Sequence, residues 1–581
     1  MKNFLNIFKK IILIFFKFFS IIFQQIKFFF QKIPKAFRIM GKLEKIILFI
    51  FLIIFIVFLG IKTRKIYFDN TIEAPVLGGK MVIGSIEAPT TLNPIFAEKD
   101  IEKTISGMIF SPLLKVKDDG SVDKILIDDY SISSGGRIYT FHLSEKCKWH
   151  DQKAVSSEDI IYTFSIIQSK QYKGIYKNIL KDVMFEAVDE KTIKIILPNP
   201  YEQFLSSLDI KILPSHILGT EPLEKLKSAE FNLNPIGCGS YKIKSSSLEN
   251  GSKKIILERF KNVLKPSKIK YVDFIFYNNY SELKVSYEKN KIDSIFKIPN
   301  NEVQSTQEFA LKSEVYSNLV SGYNVLHLNF KNEILQYKDI RQAINFATDR
   351  QEIIEKVYFN NAAQASGPVP KGSIYFQDNK NEYSLKKAKE LISNLKWKDS
   401  DNDGYFDKNG MILEFKLVST DSENMKQAAK ILKTQYKKVG IKINTIFAQP
   451  EILQTVYLNN KNYDLLLIGE SLGINLDLYP YWHSSQKTKN GFNFSEFEDS
   501  EIDQLLEEIR NMKTQKEKKE KFIKIQNIFS DRNPAIFLTQ PMVKFAISKD
   551  IKNVHTELLE EPAGFFNNIY FWYAKVGRAK K

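Results

Sequence analysis

The residues best suited to chemistry are few and scattered. Asp399-Ser-Asp-Asn-Asp-Gly404 sets carboxylates at alternate positions before a glycine, the pattern that opens a calcium-binding loop. An EF-hand closes on a bidentate Glu at its twelfth position, and counting from Asp399 that position is Gly410, so an EF-hand is excluded. Asp399, Asp401, Asp403 and Asp407 remain as oxygen donors for a looser calcium loop, and they suit equally an Asx-rich turn between a helix and a strand. The six histidines (142, 150, 216, 327, 483 and 555) form no H-x-H or H-E-x-x-H pair, so no dedicated metal site is expected. Cys147 and Cys238 are too few for a Cys-based zinc site or a disulfide scaffold. There is no G-x-x-x-x-G-K-[ST] loop to cradle nucleotide phosphates and no G-x-S-x-G turn to present a serine. No nucleophile–base set stands out, so neither catalysis nor a cofactor is expected.

Charge separates the chain into two parts. The 581 residues carry +17, but residues 1–65 hold thirteen Lys and Arg against the single acid Glu44. The remaining 516 residues carry only +5, so no nucleic-acid groove is indicated. Within the basic segment, Ile46–Ile61 is sixteen residues without a charge, bracketed by Lys42 and Lys45 and by Lys62, Arg64 and Lys65. As a helix it rises about 24 Å, slightly under the ~30 Å hydrocarbon core, and the flanking lysines can snorkel. The excess of basic residues before it predicts a cytoplasmic N-terminus and an extracytoplasmic body. Residues 1–45 read as a cytoplasmic basic amphipathic segment lying on the membrane, a second short span being the alternative. No small-residue cleavage site follows the apolar run, which favours an uncleaved single-pass anchor. Residues 62–79 read as a linker.

The elements that must position any site follow from periodicity. Strands are expected at 80–86, 138–143, 193–197, 241–243, 254–258, 271–276 and 535–538. Helices are expected at 101–110, 156–167, 340–347, 352–357, 384–395, 424–439, 501–510 and 517–530. Ser156 or Ser157 can cap the 156–167 helix, with Glu158 and Asp159 at its positive end. Strands and helices alternate without a repeat period, which gives an α/β class in more than one lobe.

Five segments, in order from about residue 80 to 575, carry a resemblance. They are Thr91-Leu-Asn-Pro94 with Phe110-Ser-Pro-Leu-Leu114; Tyr139–Leu143 through Lys148-Trp-His-Asp151 to Ser156–Asp159; Asn234-Pro-Ile-Gly-Cys-Gly-Ser-Tyr241; Leu328-Asn-Phe330 with Lys338–Ile344 and Ala347-Thr-Asp-Arg350; and Tyr463–Gly469. Together they resemble the extracellular solute-binding proteins of family 5, the oligopeptide-binding type that serves ABC importers. Gln152 stands where the family's turn carries Gly. The resemblance implies a bilobed periplasmic-binding-protein-like fold (type II, with an extra insert domain) behind the N-terminal transmembrane helix. It places lobe I at 80–114, 232–321 and 541–575, the insert at 115–231 and lobe II at 322–540. Hinge crossings fall near Val320–Tyr323 and Thr539–Val543. The implied partners are a peptide ligand, the permease and ATPase subunits of an importer, and the membrane.

The resemblance also nominates ligand contacts. Gly322, Tyr323 and Asn324 match the strand on which ligand backbone is held, with Gly322 permitting close approach; a hinge strand without ligand contact is the alternative. Glu98 falls where oligopeptide-binding relatives place a cleft acid, and a solvated loop carboxylate is the alternative. The family's Gly-Trp-x-x-Asp motif, whose Asp grips the peptide's amine, is here Gly469-Glu-Ser-Leu-Gly473, so Glu470 replaces the Trp and Gly473 the Asp. Either Glu470 or Asp477, upstream of Tyr479, Tyr481 and Trp482, takes over the amine, or the ligand has no free amine. The alternatives are another solute (sugar, nickel or haem complex) or a surface sensor or chaperone-like protein without an importer.

Overall fold

The computed structural model describes residues 39–581, apart from 118–120, 175, 177–179, 201, 220, 248–253, 306–308, 380, 474–475, 513, 556–557 and 581. The reading of residues 1–38 as an interfacial helix lies outside the described residues. The chain divides into two compact units, one of residues up to Pro75 with Val576–Lys581, the other Val76–Lys575.

The first unit is built on one helix, α1 (Lys42–Asp69), long and apolar enough to cross a membrane, with no buried residue. It exceeds the apolar run at both ends, and its 28 residues span about 42 Å. Glu44 accepts the Gly41 N–H at 2.8 Å and so closes its first turn. The stretch expected as a linker is helix to Asp69 and then a strand, Thr71–Val76, paired with Lys575–Lys580. Arg578 donates to the Thr71 and Phe68 carbonyls at 2.8 and 3.2 Å, and its guanidinium lies 4.1 Å from the Phe68 ring centre. The C-terminal strand is thereby tied to the end of the apolar helix.

The second unit is organised by one twelve-stranded mixed sheet. Five of its strands frame the crossing between its halves: β1 (Lys80–Ser85), β2 (Tyr271–Phe276), β3 (Gly322–Leu328), β4 (Leu465–Ser471) and β5 (Ala535–Ser548). β1 and β2 pair in parallel in one half of the sheet, and β3 lies antiparallel between β4 and β5 in the other. β3 and β4 are almost wholly buried because both faces are covered. Alternation sends Leu326, Leu328, Leu465 and Leu467 into one hydrophobic cluster and Tyr323, Val325, Leu466 and Ile468 into another.

β5 joins the halves. Its first part pairs with β3, and from Met542 to Ser548 it pairs with Ser313–Leu319. The strand expected at 535–538 thus runs on for fourteen residues. Pro541, which lacks an N–H and argues against a central strand, sits where β5 changes partner, and its carbonyl accepts the Val320 N–H at 3.0 Å. The chain recrosses between Leu319 and Gly322, so the two extended crossings lie side by side.

Residues 115–231 form a four-stranded antiparallel sheet (Ile127–Ser133, Ile138–Leu143, Thr192–Ile196, Met184–Asp189) and the helix Ser157–Gln168. Their core is continuous with that of β1 and β2, running from Phe141, Trp149 and Phe164 to Met81 and Phe274. One buried carboxylate fixes the Trp-His-Asp turn onto the helix start. Asp159 accepts Trp149 Nε1–H at 3.0 Å, the Ser156 N–H at 2.9 Å, and the Ser215 N–H and hydroxyl at 2.8 and 2.7 Å. Cys147 and Cys238 are free and buried.

Candidate functional site

A cavity of about 620 Å³ opens in the second unit, within the size range of small-ligand sites. Four chain regions build its wall: Pro94, Lys103 and Ser106 around the helix Asp100–Ile109; Lys115, Asp123, Tyr176, Asp209 and Lys211 of the 115–231 region, outside its four-stranded sheet; Ser471 at the end of β4; and the segment 558–571. Ser471 pairs with Gly322 across β3 and β4, so the cavity touches the crossing region.

Its charges are of both signs, and most are matched within the protein. Lys103 pairs with Glu561, and Lys211 with Asp209 at 3.2 Å. Asp123 takes Lys265 and, at 3.1 Å, the Tyr570 hydroxyl. Burial pulls the Lys211 ammonium down, but Asp209, Tyr176 and Glu561 outweigh it and hold the group firmly protonated. Three groups stand apart: among the described residues, neither the Lys115 nor the Lys117 ammonium nor the Glu560 carboxylate has a hydrogen-bond or ion-pair partner. Burial lowers the Lys115 pKa, countered in part by Asp209, Asp123 and Glu560. Burial, together with Asp209 and Glu561, raises that of Glu560. Glu560 is open to solvent in the cavity yet surrounded by protein, which is why its charged form is disfavoured.

None of the seven residues nominated from sequence lines this cavity. Glu98 is exposed, and the acid built into the fold there is Glu102, which accepts the N–H groups of Thr90, Glu98 and Lys99 and the Thr90 hydroxyl. Burial opposes its ionisation, but these bonds leave its pKa lowered. Gly322 does meet a close backbone, and it belongs to the neighbouring strand: a Cβ there would lie 2.2 Å from the Glu470 carbonyl oxygen. Tyr323 is buried, edge-on to Phe537 at 4.9 Å, and Asn324 donates to Tyr358 and Thr539, both at 2.9 Å. Glu470 is buried against His327, Oε1 to Nε2, at 2.8 Å. Asp477 is held by two nitrogens of Arg510, which stacks 3.7 Å over Tyr479. Trp482 packs edge-on to Phe529 at 4.7 Å. Glu470 and Asp477 therefore spend their charge inside the protein.

The oxygens of Asp399, Asp401 and Asp403 lie within 4.8 Å of one another. Each accepts a backbone N–H of the same loop, from Gly404, Asp403 and Tyr405 respectively, and Asp407 accepts the N–H and hydroxyl of Ser400. The loop thus has the hydrogen bonding of an Asx-rich turn.

Sequence reasoning did not nominate Lys115 or Glu560. Neither lies in a motif, and only the fold reveals that their charges are unmatched.

Comparison with known proteins places these features in context. The pattern described as "Bacterial extracellular solute-binding proteins, family 5 Middle" matches residues 122–492. The chain is 28% identical over 492 residues to the oligopeptide-binding protein AppA of Bacillus subtilis strain 168, covering 82% of this chain and 89% of that one. Among solved structures, it is similar to Bacillus subtilis AppA in complex with a nonapeptide, with a TM-score of 0.64 and 26% identity over 86% of this chain and 99% of that one. It is also similar to NikZ of Campylobacter jejuni in complex with Ni(L-His), with a TM-score of 0.63 and 25% identity over 85% and 99%.

Proposed function

The chain belongs to the bacterial extracellular solute-binding proteins of family 5, and from that premise we propose that it is the peptide receptor of an ABC importer, held at the outer face of the membrane by α1. The single observation that carries the peptide reading is the cavity. Its wall combines the end of β4 at the crossing with residues of the 115–231 region and the 558–571 segment, and it offers unmatched charge of both signs beside matched polar groups. A peptide answers such a wall with two charged ends and a polar backbone, leaving varied side chains to water.

The mechanism is a population shift. The two halves of the sheet are joined by two short extended crossings, where a few φ/ψ changes rotate one lobe against the other. A ligand that touches both walls only when the lobes are together favours that state by its differential affinity. The permease then reads the closed form, and ATP is hydrolysed on another chain. A metal–amino-acid ligand, such as the one bound by NikZ, has less support. The acidic trio Asp399, Asp401 and Asp403 is not part of the cavity.

The test is a distance. Ser245 and Lys430 are exposed near opposite ends of the sheet, and the native thiols are buried. Dyes on S245C/K430C in the full chain in detergent should move together when a tetrapeptide library is added and not when Ni(L-His) is added. An unchanged transfer efficiency with peptide, or a change with Ni(L-His) alone, would overturn the reading.

A further inference from the structure

Alternation gives the end strands of the twelve-stranded sheet one buried and one open face. Leu257, Val272 and Phe274 turn into the hydrophobic cluster that holds Met81. On the opposite face, the register sets Lys242, Glu258, Tyr271 and Lys80 in one row. The row runs from the edge strand Tyr241–Ser247 through Lys254–Arg259 and β2 to β1. Two more ammoniums flank the ring in that row, Lys244 at 4.4 Å and Lys270 at 4.9 Å from the Tyr271 ring centre. Asp273, in the next row, is claimed by both Lys80 and Lys254 at 2.9 Å. A third acid, Asp293, turns to the backbone and accepts the Val82 N–H at 3.1 Å. Among the described residues, Lys242, Lys244 and Lys270 form no ion pair. Lysines on an edge strand deter strand pairing, but Lys80 and Lys254 lie on interior strands, so that task does not account for the face.

The chain enters the sheet at this same row. The Gly79 carbonyl accepts the N–H groups of Lys270 and Tyr271 at 3.2 and 3.3 Å, and the Gly78 N–H donates to the Lys268 carbonyl at 2.9 Å. Segment 70–77 connects this root to α1, a reach of at most about 30 Å. Leu77, at the end of that segment, is exposed. Lysines around a tyrosine suit the headgroup layer of an anionic membrane. Screening limits such attraction to about 10 Å, and a short tether supplies the effective concentration that a weak contact needs.

We propose that this face docks on anionic lipid headgroups beside the protein's own anchor, with Lys242, Lys244 and Lys270 as the contacting charges. The inference rests on the anchoring part of the reading above and goes beyond it: α1 retains the chain, and the face brings the receptor domain down onto the lipid.

The test uses the full chain in lipid nanodiscs, with a dye on Ser245→Cys and an acceptor on the headgroups. Ser245 is exposed in the row beside Tyr271, and the native thiols are buried. Energy transfer should rise at least about twofold when about one-third of the phosphatidylcholine is replaced by phosphatidylglycerol. The rise should vanish in about 0.5 M salt. It should also vanish in Lys242→Gln/Lys244→Gln/Lys270→Gln, which leaves the Asp273 pairs intact. Equal transfer in the two discs overturns the proposal while the anchor stands; loss of copurifying permease by the triple variant would then assign the face to the importer. A rise that the triple variant keeps overturns the assignment to these lysines. A chain that enters neither disc overturns the anchor and the proposal with it. The comparison of lipids and of salt uses the intact face, so a variant that does not fold leaves the outcome decided.

Discussion

Replacing His327 with leucine should destabilise the protein far more than replacing its partner Glu470 with glutamine. The imidazole Nδ1 lies 2.9 Å from the Ser495 hydroxyl, and that hydroxyl donates to the Pro534 carbonyl, also at 2.9 Å. Ser495 can therefore only accept from the ring, so Nδ1 carries a proton. The remaining contact, Nε2 to Glu470 Oε1 at 2.8 Å, shares a second proton, and the pair is neutral as a whole. Both side chains are essentially inaccessible, 0% and 2% exposed. Glu470 Oε2 has no hydrogen-bond partner, so His327 is the main support of this carboxylate. His327→Leu strands a buried acid, at a cost of about 3–5 kcal/mol. Glu470→Leu leaves a neutral ring with one unmatched nitrogen, about 1–3 kcal/mol. Glu470→Gln keeps a donor to Nε2 and should cost under about 1 kcal/mol. The double leucine variant should recover most of the loss of His327→Leu. Urea unfolding of the full chain in detergent reads the order, followed through Trp482, whose ring lies 5.4 Å from the imidazole. Peptide affinity of Glu470→Gln should be unchanged. A cost below about 1 kcal/mol for His327→Leu, or equal costs for His327→Leu and Glu470→Gln, would refute the reasoning.

Other contacts carry their own consequences. His150 accepts the Gly237 N–H on Nδ1 and donates from Nε2 to the Gly239 carbonyl, and burial lowers its pKa to about 4. The unfolded chain takes up a proton near pH 6.5 while the folded one does not, so stability is lost as pH falls from 6.5 to 4. The full effect is about 3 kcal/mol, and His150→Asn should remove that part of the difference between urea midpoints at about pH 7.5 and 4.5. Gly322→Ala should cost about 1–3 kcal/mol by thermal unfolding, because its Cβ meets strand backbone that cannot give way. Asp159→Ala, which strips five donors of their common acceptor, should cost at least about 3 kcal/mol; a surface-like loss under about 1 kcal/mol would contradict its placement. The Tyr323 hydroxyl, Trp482 Nε1 and Glu470 Oε2 are buried without partners, and a crystal structure should show a water bridging at least two of them.

The architecture is legible in the sequence because it is repeated signal. Strand Tyr271–Phe276 matches its expected bounds, and the helix from Ser157 begins beside Ser156 as the capping pattern requires. Where Pro541 interrupts β5, topology overrides a local rule, since the proline falls at a change of partner rather than at a strand end. The sheet strand Glu414–Thr420 and the helix Tyr280–Glu288 carry weaker periodicity and do not stand out from the sequence alone.

The site is less legible, because charge pairing is a property of space. Glu470 and Asp477 are conspicuous in the sequence, and His327 and Arg510 claim them from afar. Gly473 marks a position where an acid is missing, and the acid that lies over it, Glu560, comes from a distant segment. Gly322 is a site of close backbone approach, as its residue type suggests, but the approaching backbone is that of β4. No spacing rule connects residues so far apart in the chain.

The most direct test of the central claim is native mass spectrometry of the full chain purified gently in detergent. The account predicts added masses that leave on mild unfolding and sequence as short peptides with free amino and carboxyl ends. A single apo mass that no peptide pool shifts, in mass or in thermal midpoint, would contradict it.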